Sequence, residues 1–250
     1  MKKKTITLLA YGLPALLVAG VLAFNIYRPI LVLPRIGIGP GFGVSDISEN
    51  KITNETMRGK IVLYSFTYTN CTSACPQLME KLQAVRERLN NGEIELEGAD
   101  IQIVTFSIDP ERDTPEVLAD YAARYGVTPG NDDNAVPWHF VTSDDPELVK
   151  IMVSSGFDLY YEKIEDDQSP DGYRYKFVPM IVLIDGWGII RSEYRQYEAN
   201  ERLSFSDGHS DIDSDILVRD LDLMAKEARN NKGLASAAYE AAHLFSCYPP

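Results

Sequence analysis

The stretch that most constrains this chain is Tyr64 to Leu82, YSFTYTNCTSACPQLMEKL. An apolar, β-rich run from Ile61 to Phe66 leads into a polar turn carrying Cys71 and Cys75, and Pro76 follows at once. Beyond it the pattern turns helical: Leu78, Leu82, Val85 and Leu89 recur at spacings of four, three and four. The two thiols therefore stand where a buried strand hands over to a helix. Backbone N–H groups at a helix start favour anions, and a thiolate is an anion. Pro76 suits the first turn, where its missing N–H costs nothing.

Residues at i and i+4 share one face of a helical turn. Two sulfurs so placed can close a disulfide if their Cα atoms lie within about 7 Å. They can equally grip one soft ion such as Cu(I). A structural zinc site fits worse, because it wants a full tetrahedral ligand set and only the remote Cys247 remains. Two small buried residues with no role are the bland alternative. Free thiols at an exposed junction are reactive by position, which argues against it.

The chain has 250 residues, room for one ordinary domain with extras, and 45% of them are hydrophobic, enough for a core. A net charge of −13 repels phosphate backbones and argues against a nucleic-acid partner. Lys2, Lys3 and Lys4 precede an uncharged, mostly apolar run from Thr5 to Tyr27. About 20 apolar residues span a bilayer, and the lysines should stay cytoplasmic. The expectation is an uncleaved, single-pass anchor with the body of the protein outside the cytoplasm. A cleaved signal peptide competes, but its apolar region would be shorter, and Val21-Leu22-Ala23 is a weak cleavage signal. Either way the thiols work where disulfides persist.

Along the chain, residues 1–28 read as a cytoplasmic stub and transmembrane anchor, and the Pro- and Gly-rich 29–43 as a linker. Residues 44–229 read as the domain and 230–250 as a tail. Within the domain, a small hairpin is expected over 44–60, and strands over 61–67, 101–108, 138–141, 179–185 and 189–195. Helices are expected over 76–90, from Pro115 with Thr114 as cap, after Asp144 or Asp145, and from Ile216. Residues 157–163 and 173–177 flank an acidic turn and read as a hairpin. The alternation of strands and helices is that of an α/β layer fold.

Three segments carry a family resemblance. TYTNCTSACP resembles the Cys-x-x-x-Cys-Pro signature of the Sco/SenC copper proteins. SIDPERDTPEVLADYAARYG resembles the segment after that family's second core strand. WHFVTSDDPELVKIMVSSGFDLYYEK resembles the following strand, helix and hairpin, and the similarity covers roughly residues 40 to 197. The resemblance implies a membrane-anchored, thioredoxin-like fold, a central mixed sheet flanked by helices. It implies a role in assembling the dinuclear copper centre of cytochrome c oxidase. Copper would be held by Cys71, Cys75 and a histidine; some members of the family act as thiol–disulfide reductants.

Two departures follow from the same resemblance. Counting back from Leu183-Ile184 by the family's spacing, the histidine's place falls on Phe177, and no His lies between His139 and His209. Val178-Pro179 resembles the cis-proline site that faces the redox cysteines in thioredoxins, so Pro179 is expected to be cis beside the site. An ordinary trans proline at a strand start is the alternative.

Other candidates weigh less. His139 reads as an edge or half-buried strand residue, His209 as part of a flexible acidic loop, and His243 as packing or solvent contact in the tail. Met180 has a thioether that suits Cu(I), though a core role comes first. Asp109 and Asp113 look like a catalytic pair but are expected to organise a loop and a helix start. Thr72-x-x-Cys75 is peroxiredoxin-like, yet Tyr68 stands where a proline would be expected. Cys247 is an odd thiol, a bystander or an intermolecular bridge. The function expected is copper delivery to, or assembly of, the oxidase copper centre by the Cys71/Cys75 dithiol. Cu(I) is favoured over Cu(II), and the partner is the copper-bearing subunit or another extracytoplasmic thiol or copper protein. The alternative is an extracytoplasmic thiol–disulfide oxidoreductase that carries no copper.

Overall fold

The structure is a computed structural model of the chain and describes residues 2–27, 30–72, 74–130, 135–196 and 212–245. Its elements, in chain order, are α1 (Lys2–Tyr27), β1 (Gly37–Ile38), β2 (Gly43–Asp46), β3 (Lys51–Thr53), β4 (Lys60–Thr67) and α2 (Ala74–Asn90). Then come β5 (Asp100–Ser107), α3 (Pro115–Ala123), β6 (Trp138–Thr142) and α4 (Pro146–Lys150), which continues as a π-helical stretch, Ile151–Gly156. The last are β7 (Tyr161–Glu165), β8 (Tyr173–Phe177), β9 (Met180–Ile184), β10 (Ile189–Arg195), α5 (Ser214–Asn230) and α6 (Leu234–Phe245).

The main sheet has eight strands in the order β1-β10-β9-β4-β5-β6-β2-β3, while β7 and β8 pair separately. β4, β5 and β6 run parallel, and the other pairs are antiparallel, so the sheet is mixed. β4 sits between β9 and β5, and every residue after Lys60 is buried. That is why its sequence reads as a continuous apolar run rather than an alternation. Ile61 and Leu63 face the layer built by α2, α3 and α5. Val62, Tyr64 and Phe66 face the opposite layer, where Phe42, Val153 and Phe157 pack. α2 buries Leu78, Met79, Leu82, Val85 and Leu89 against the sheet. Trimming a fully buried leucine such as Leu82 to alanine would cost about 2–5 kcal/mol. Thr114 caps α3 by accepting from the Val117 N–H, and Asp145 caps α4 through Glu147 and Leu148.

Several expectations need correction. Residues 29–43 are not a free linker: β1 pairs with β10, and Val32, Leu33 and Phe42 are buried. Nor is 230–250 only a tail, because its Ala-rich part forms α6, and Ala242 is buried. Alanines leave little entropy to lose and make a good helix, and small side chains let that helix sit close. No peptide bond among the described residues is cis, so Val178–Pro179 is trans. Pro179 leads into β9, where a missing N–H is tolerated, and its carbonyl accepts from the Gln196 N–H at 2.8 Å. The apolar N-terminal run forms α1, with Tyr11, Leu13 and Leu16 exposed. Among the described residues no helix is long and apolar enough to cross a membrane. The anchor expectation therefore stands on the uncharged sequence from Thr5 to Tyr27 alone.

Candidate functional site: a dithiol at the end of β4

β4 ends at Thr67, and four residues on, Cys71 is bonded to Cys75, with an S–S distance of 2.02 Å and Cα atoms 5.8 Å apart. The turn is set by backbone bonds: the Cys71 N–H donates to the Tyr68 carbonyl at 3.1 Å. Cys75 lies in the first turn of α2, and its own N–H donates to Cys71 Sγ at 3.3 Å. A donor at a helix start favours negative charge on that sulfur once the bond is opened. The pair is less exposed than the sequence implied. Cys75 is fully buried and Cys71 is 7% exposed, so Cys71 is the outer sulfur.

The loop is held by side chains from the segment after β5. Asp113 is fully buried and accepts from Thr69 N–H at 3.0 Å, Thr69 Oγ1 at 2.5 Å and Ser107 Oγ at 2.5 Å. Asp109, also fully buried, accepts from Tyr173 Oη at 3.0 Å and pairs with Arg112 at 2.5 Å. Burial pushes the Asp109 carboxyl above the usual range, against the pull of the Arg112 guanidinium. Asp109 and Asp113 thus spend their bonds on the loop, on Arg112 and on the hairpin, which is the organising role expected of them.

The β7–β8 hairpin closes over this end of the sheet. Tyr173, Tyr175 and Phe177 alternate along β8 and so share one face. Tyr175 meets Tyr68 edge-on with centroids 5.3 Å apart, and Phe177 lies 6.2 Å from the Tyr68 ring. Burial pushes the Tyr173 phenol up to about 12 and raises that of Tyr175 too. The hairpin tip is tied down by polar contacts: Arg112 pairs with Asp171, and Asn70 Nδ2 donates to Ser169 Oγ and Asp171 Oδ2 at 3.2 Å each. Arg112 also lies over the Tyr173 and Tyr68 rings, at 5.1 and 5.9 Å.

The structure brings together some of the predicted residues and not others. Cys71, Cys75, Met180 and the partly buried Phe177 belong to one apolar cluster, with Met180 fully buried. His139 lies on β6, its Nδ1 at 2.9 Å from Asp46 Oδ2. His243 lies on α6, its Nε2 at 2.8 Å from Glu227 Oε1, so of the two expectations packing holds, as a pair with a carboxylate of α5. His209 and Cys247 lie outside the described residues. Among the described residues no group of three or more His, Cys, Asp or Glu could hold a metal ion. A metal here would rest on the reduced cysteine pair and its sulfur chemistry. Arg112, Tyr173 and Tyr175 were not singled out from sequence. Their signals were an arginine set between two aspartates after a strand, and an aromatic at every second residue of β8.

The SCO1/SenC family model matches residues 34–205. A SCO2-like protein of Rickettsia prowazekii is 28% identical over 162 residues, 65% of this chain and 69% of the relative. The SCO1 protein homolog of Bacillus subtilis is 28% identical over 116 residues, 46% of this chain and 54% of the relative. Among solved structures, Arabidopsis thaliana ScoI with copper bound superposes with a TM-score of 0.55 at 22% identity, covering 74% of this chain and 98% of that one. BsSco, described as a member of the Sco family of cytochrome c oxidase assembly proteins, gives 0.56 at 21% identity, covering 80% and 99%. At such identities these structures share the fold, and that fold is the mixed sheet with flanking helices described above.

Proposed function

This chain belongs to the SCO1/SenC family, and from that premise we propose that it carries Cu(I) on the reduced Cys71–Cys75 pair to the copper centre of cytochrome c oxidase. The observation that carries the reading is the dithiol itself: two cysteines with Cα atoms 5.8 Å apart, one sulfur receiving a helix-start N–H, in one apolar cluster with Tyr68, Tyr175 and Phe177. Fold relatives of ScoI and yeast Sco1 type have been solved with copper bound.

The closed disulfide has no thiolate to offer, so loading begins with reduction. Two electrons and two protons, supplied by a partner dithiol that is itself oxidised to a disulfide, convert the bond to two thiols. Cu(I) then displaces the protons and is held by two soft thiolates. Delivery is the reverse exchange onto the acceptor's ligands. Copper is the cargo. The partner is the copper-bearing oxidase subunit or another extracytoplasmic thiol or copper protein. Anchoring by residues 5–27, with Lys2–Lys4 on the cytoplasmic side, would keep the domain outside the cytoplasm beside a membrane-bound acceptor.

A second reading has its own support. Phe177 at the position counted for the family's histidine leaves the described site without an imidazole, and the outer Cys71 over a buried Cys75 suits an attacking and a resolving thiol. In that reading the protein exchanges disulfides and carries no copper.

A metal titration of the reduced full chain decides between them. The copper reading predicts one Cu(I) bound per chain, lost in Cys71→Ser and in Cys75→Ser, and poor retention of Cu(II), which prefers nitrogen ligands. Phe177→His should then raise Cu(II) affinity and bring a thiolate-to-copper absorption band. Reduced protein that releases Cu(I) yet still exchanges disulfides would make it the oxidoreductase.

A further inference from the structure

The end of the molecule opposite the dithiol carries an exposed apolar corner. Ile38 is 83% exposed, Trp187 81% and Ile36 52%. They meet at one edge of the sheet: the Ile36 N–H donates to the Ile190 carbonyl and the Gly39 N–H to the Gly188 carbonyl, both at 2.8 Å. Ile36 and Ile38 stand two apart, on one face of the edge strand. Leu244, 74% exposed, sits four residues along α6 from Glu240, which holds Arg35 through two hydrogen bonds of 2.8 and 3.1 Å. Leu31, 38% exposed, stands next to Val32, which packs with Tyr239 and Ala242 of α6. A tryptophan open to water beside bare isoleucines is a poor arrangement for a surface that stays wet.

What could cover this corner is indicated by the chain that leads to it. α1 ends at Tyr27 and touches α6. Three residues later Ile30 and Val32 pack against Tyr239 and Ala242. The carbonyls of Leu33 and Pro34 accept from the buried Arg191 at 2.7 and 3.0 Å. The apolar corner therefore begins within a few residues of where the apolar helix ends.

We propose that Leu31, Ile36, Ile38, Trp187 and Leu244 form a platform that seats the domain on the bilayer interface. The proposal rests on the anchor reading given above. Tryptophan is the residue that favours the headgroup level, with its ring in the apolar region and its N–H toward water. The seat fixes which end faces the water. The Gly186 carbonyl accepts from the Gly59 N–H, and Gly186 packs so closely on Gly59 that a side chain there would meet its backbone at 3.0 Å. The Trp187 turn therefore lies at the start of β4, and the dithiol lies beyond its far end. An eight-residue strand spans about 26 Å, so the platform would present Cys71 well clear of the lipid, toward a soluble domain of its acceptor.

The chain has two tryptophans, and Trp138 is buried at 4% exposure. Subtracting the emission of Trp187→Phe from that of the full-length protein isolates Trp187. The replacement lies on the surface, so it leaves the fold in place. The full chain would be reconstituted in phosphatidylcholine vesicles and washed with carbonate to retain only inserted protein. The expected result is loss of most Trp187 emission in lipids brominated near the glycerol, and protection from aqueous iodide. Retained protein whose Trp187 is quenched by iodide and not by bromolipid would overturn the platform while leaving the anchor standing. Retained protein quenched by neither would mean a protein cover, such as a second copy, and would also overturn it. Protein removed by the wash would refute the anchor and the platform with it.

Discussion

Two arginines, one beyond each end of β4, do similar work in different ways. Arg191 is 2% exposed and is surrounded: it donates to Pro34 and Leu33 carbonyls, to Asp185 at 3.0 Å and to Glu227 at 2.9 Å. Those partners come from the N-terminal segment, from β9's end and from α5, so one side chain joins three parts of the chain. Arg112 is 19% exposed and pairs with Asp109 and with Asp171, which is 43% exposed on the hairpin tip. Its Nε is 3.7 Å from Asp113 and has no hydrogen-bond partner among the described residues. The lesson is a division of labour. A saturated, dry hub holds residues 33–34, the end of β9 and α5 together, while a partly wet, incompletely satisfied one holds the β7–β8 hairpin beside the dithiol loop.

The largest expected effect is at the dry hub. Arg191→Met leaves the buried Asp185 without its cation, leaves Glu227 with His243 alone, and orphans two carbonyls. Removing one partner of a buried ion pair costs about 3–5 kcal/mol. Denaturant unfolding of the detergent-solubilised chain should show that loss. A change no larger than that of a surface substitution would mean Arg191 is not the hub described here. Arg112→Met should cost less, about 2 kcal/mol, because its site is partly solvated and Asp109 can take up a proton. Its distinctive readout is chemical: dithiothreitol should reduce the Cys71–Cys75 bond faster than in the wild type. Unchanged reduction kinetics would show that the hairpin does not limit access.

The smallest effect is a difference in acid response. Glu227 is held below its ordinary 4.5 by His243 and Arg191, despite burial. Its contribution is therefore present above pH 4.5 and is lost as pH falls through the lower folded value. Asp109 is shifted the other way, so protonation relieves a buried charge and the hairpin end gains on acidification. Below about pH 4.5, amide exchange should rise first in α6 and in residues 30–38, with β8 spared. Earlier loss of β8 protection would reverse the assignment.

Much of the dithiol end was legible in the sequence. The strand–turn–helix around CTSACP, the caps Thr114 and Asp145, and the hairpin on both sides of EDDQSPDG each follow from local rules, and each is in the structure. The other end was not legible, for a physical reason. Arg191 reaches carbonyls more than 150 residues away in sequence, and nothing local to ILVLPR marks it as a docked segment. His243 and Glu227, likewise, become partners only when α5 and α6 fold back. The trans Pro179 shows the limit of a resemblance: the position matched a redox-fold motif, but its strand-start setting accommodates the ordinary isomer.

The central claim is that one end of β4 is built to hold and the other to open. Hydrogen exchange on the oxidised full chain, read residue by residue, tests it most directly. Amides of β8, which among the described residues pairs only with β7, should exchange through local opening, faster than those of β10, whose neighbours are β1 and β9. Arg112→Met should speed exchange in β8 and leave β10 unchanged. Equal protection of the two strands, or a mutant effect that spreads evenly across both, would contradict the account.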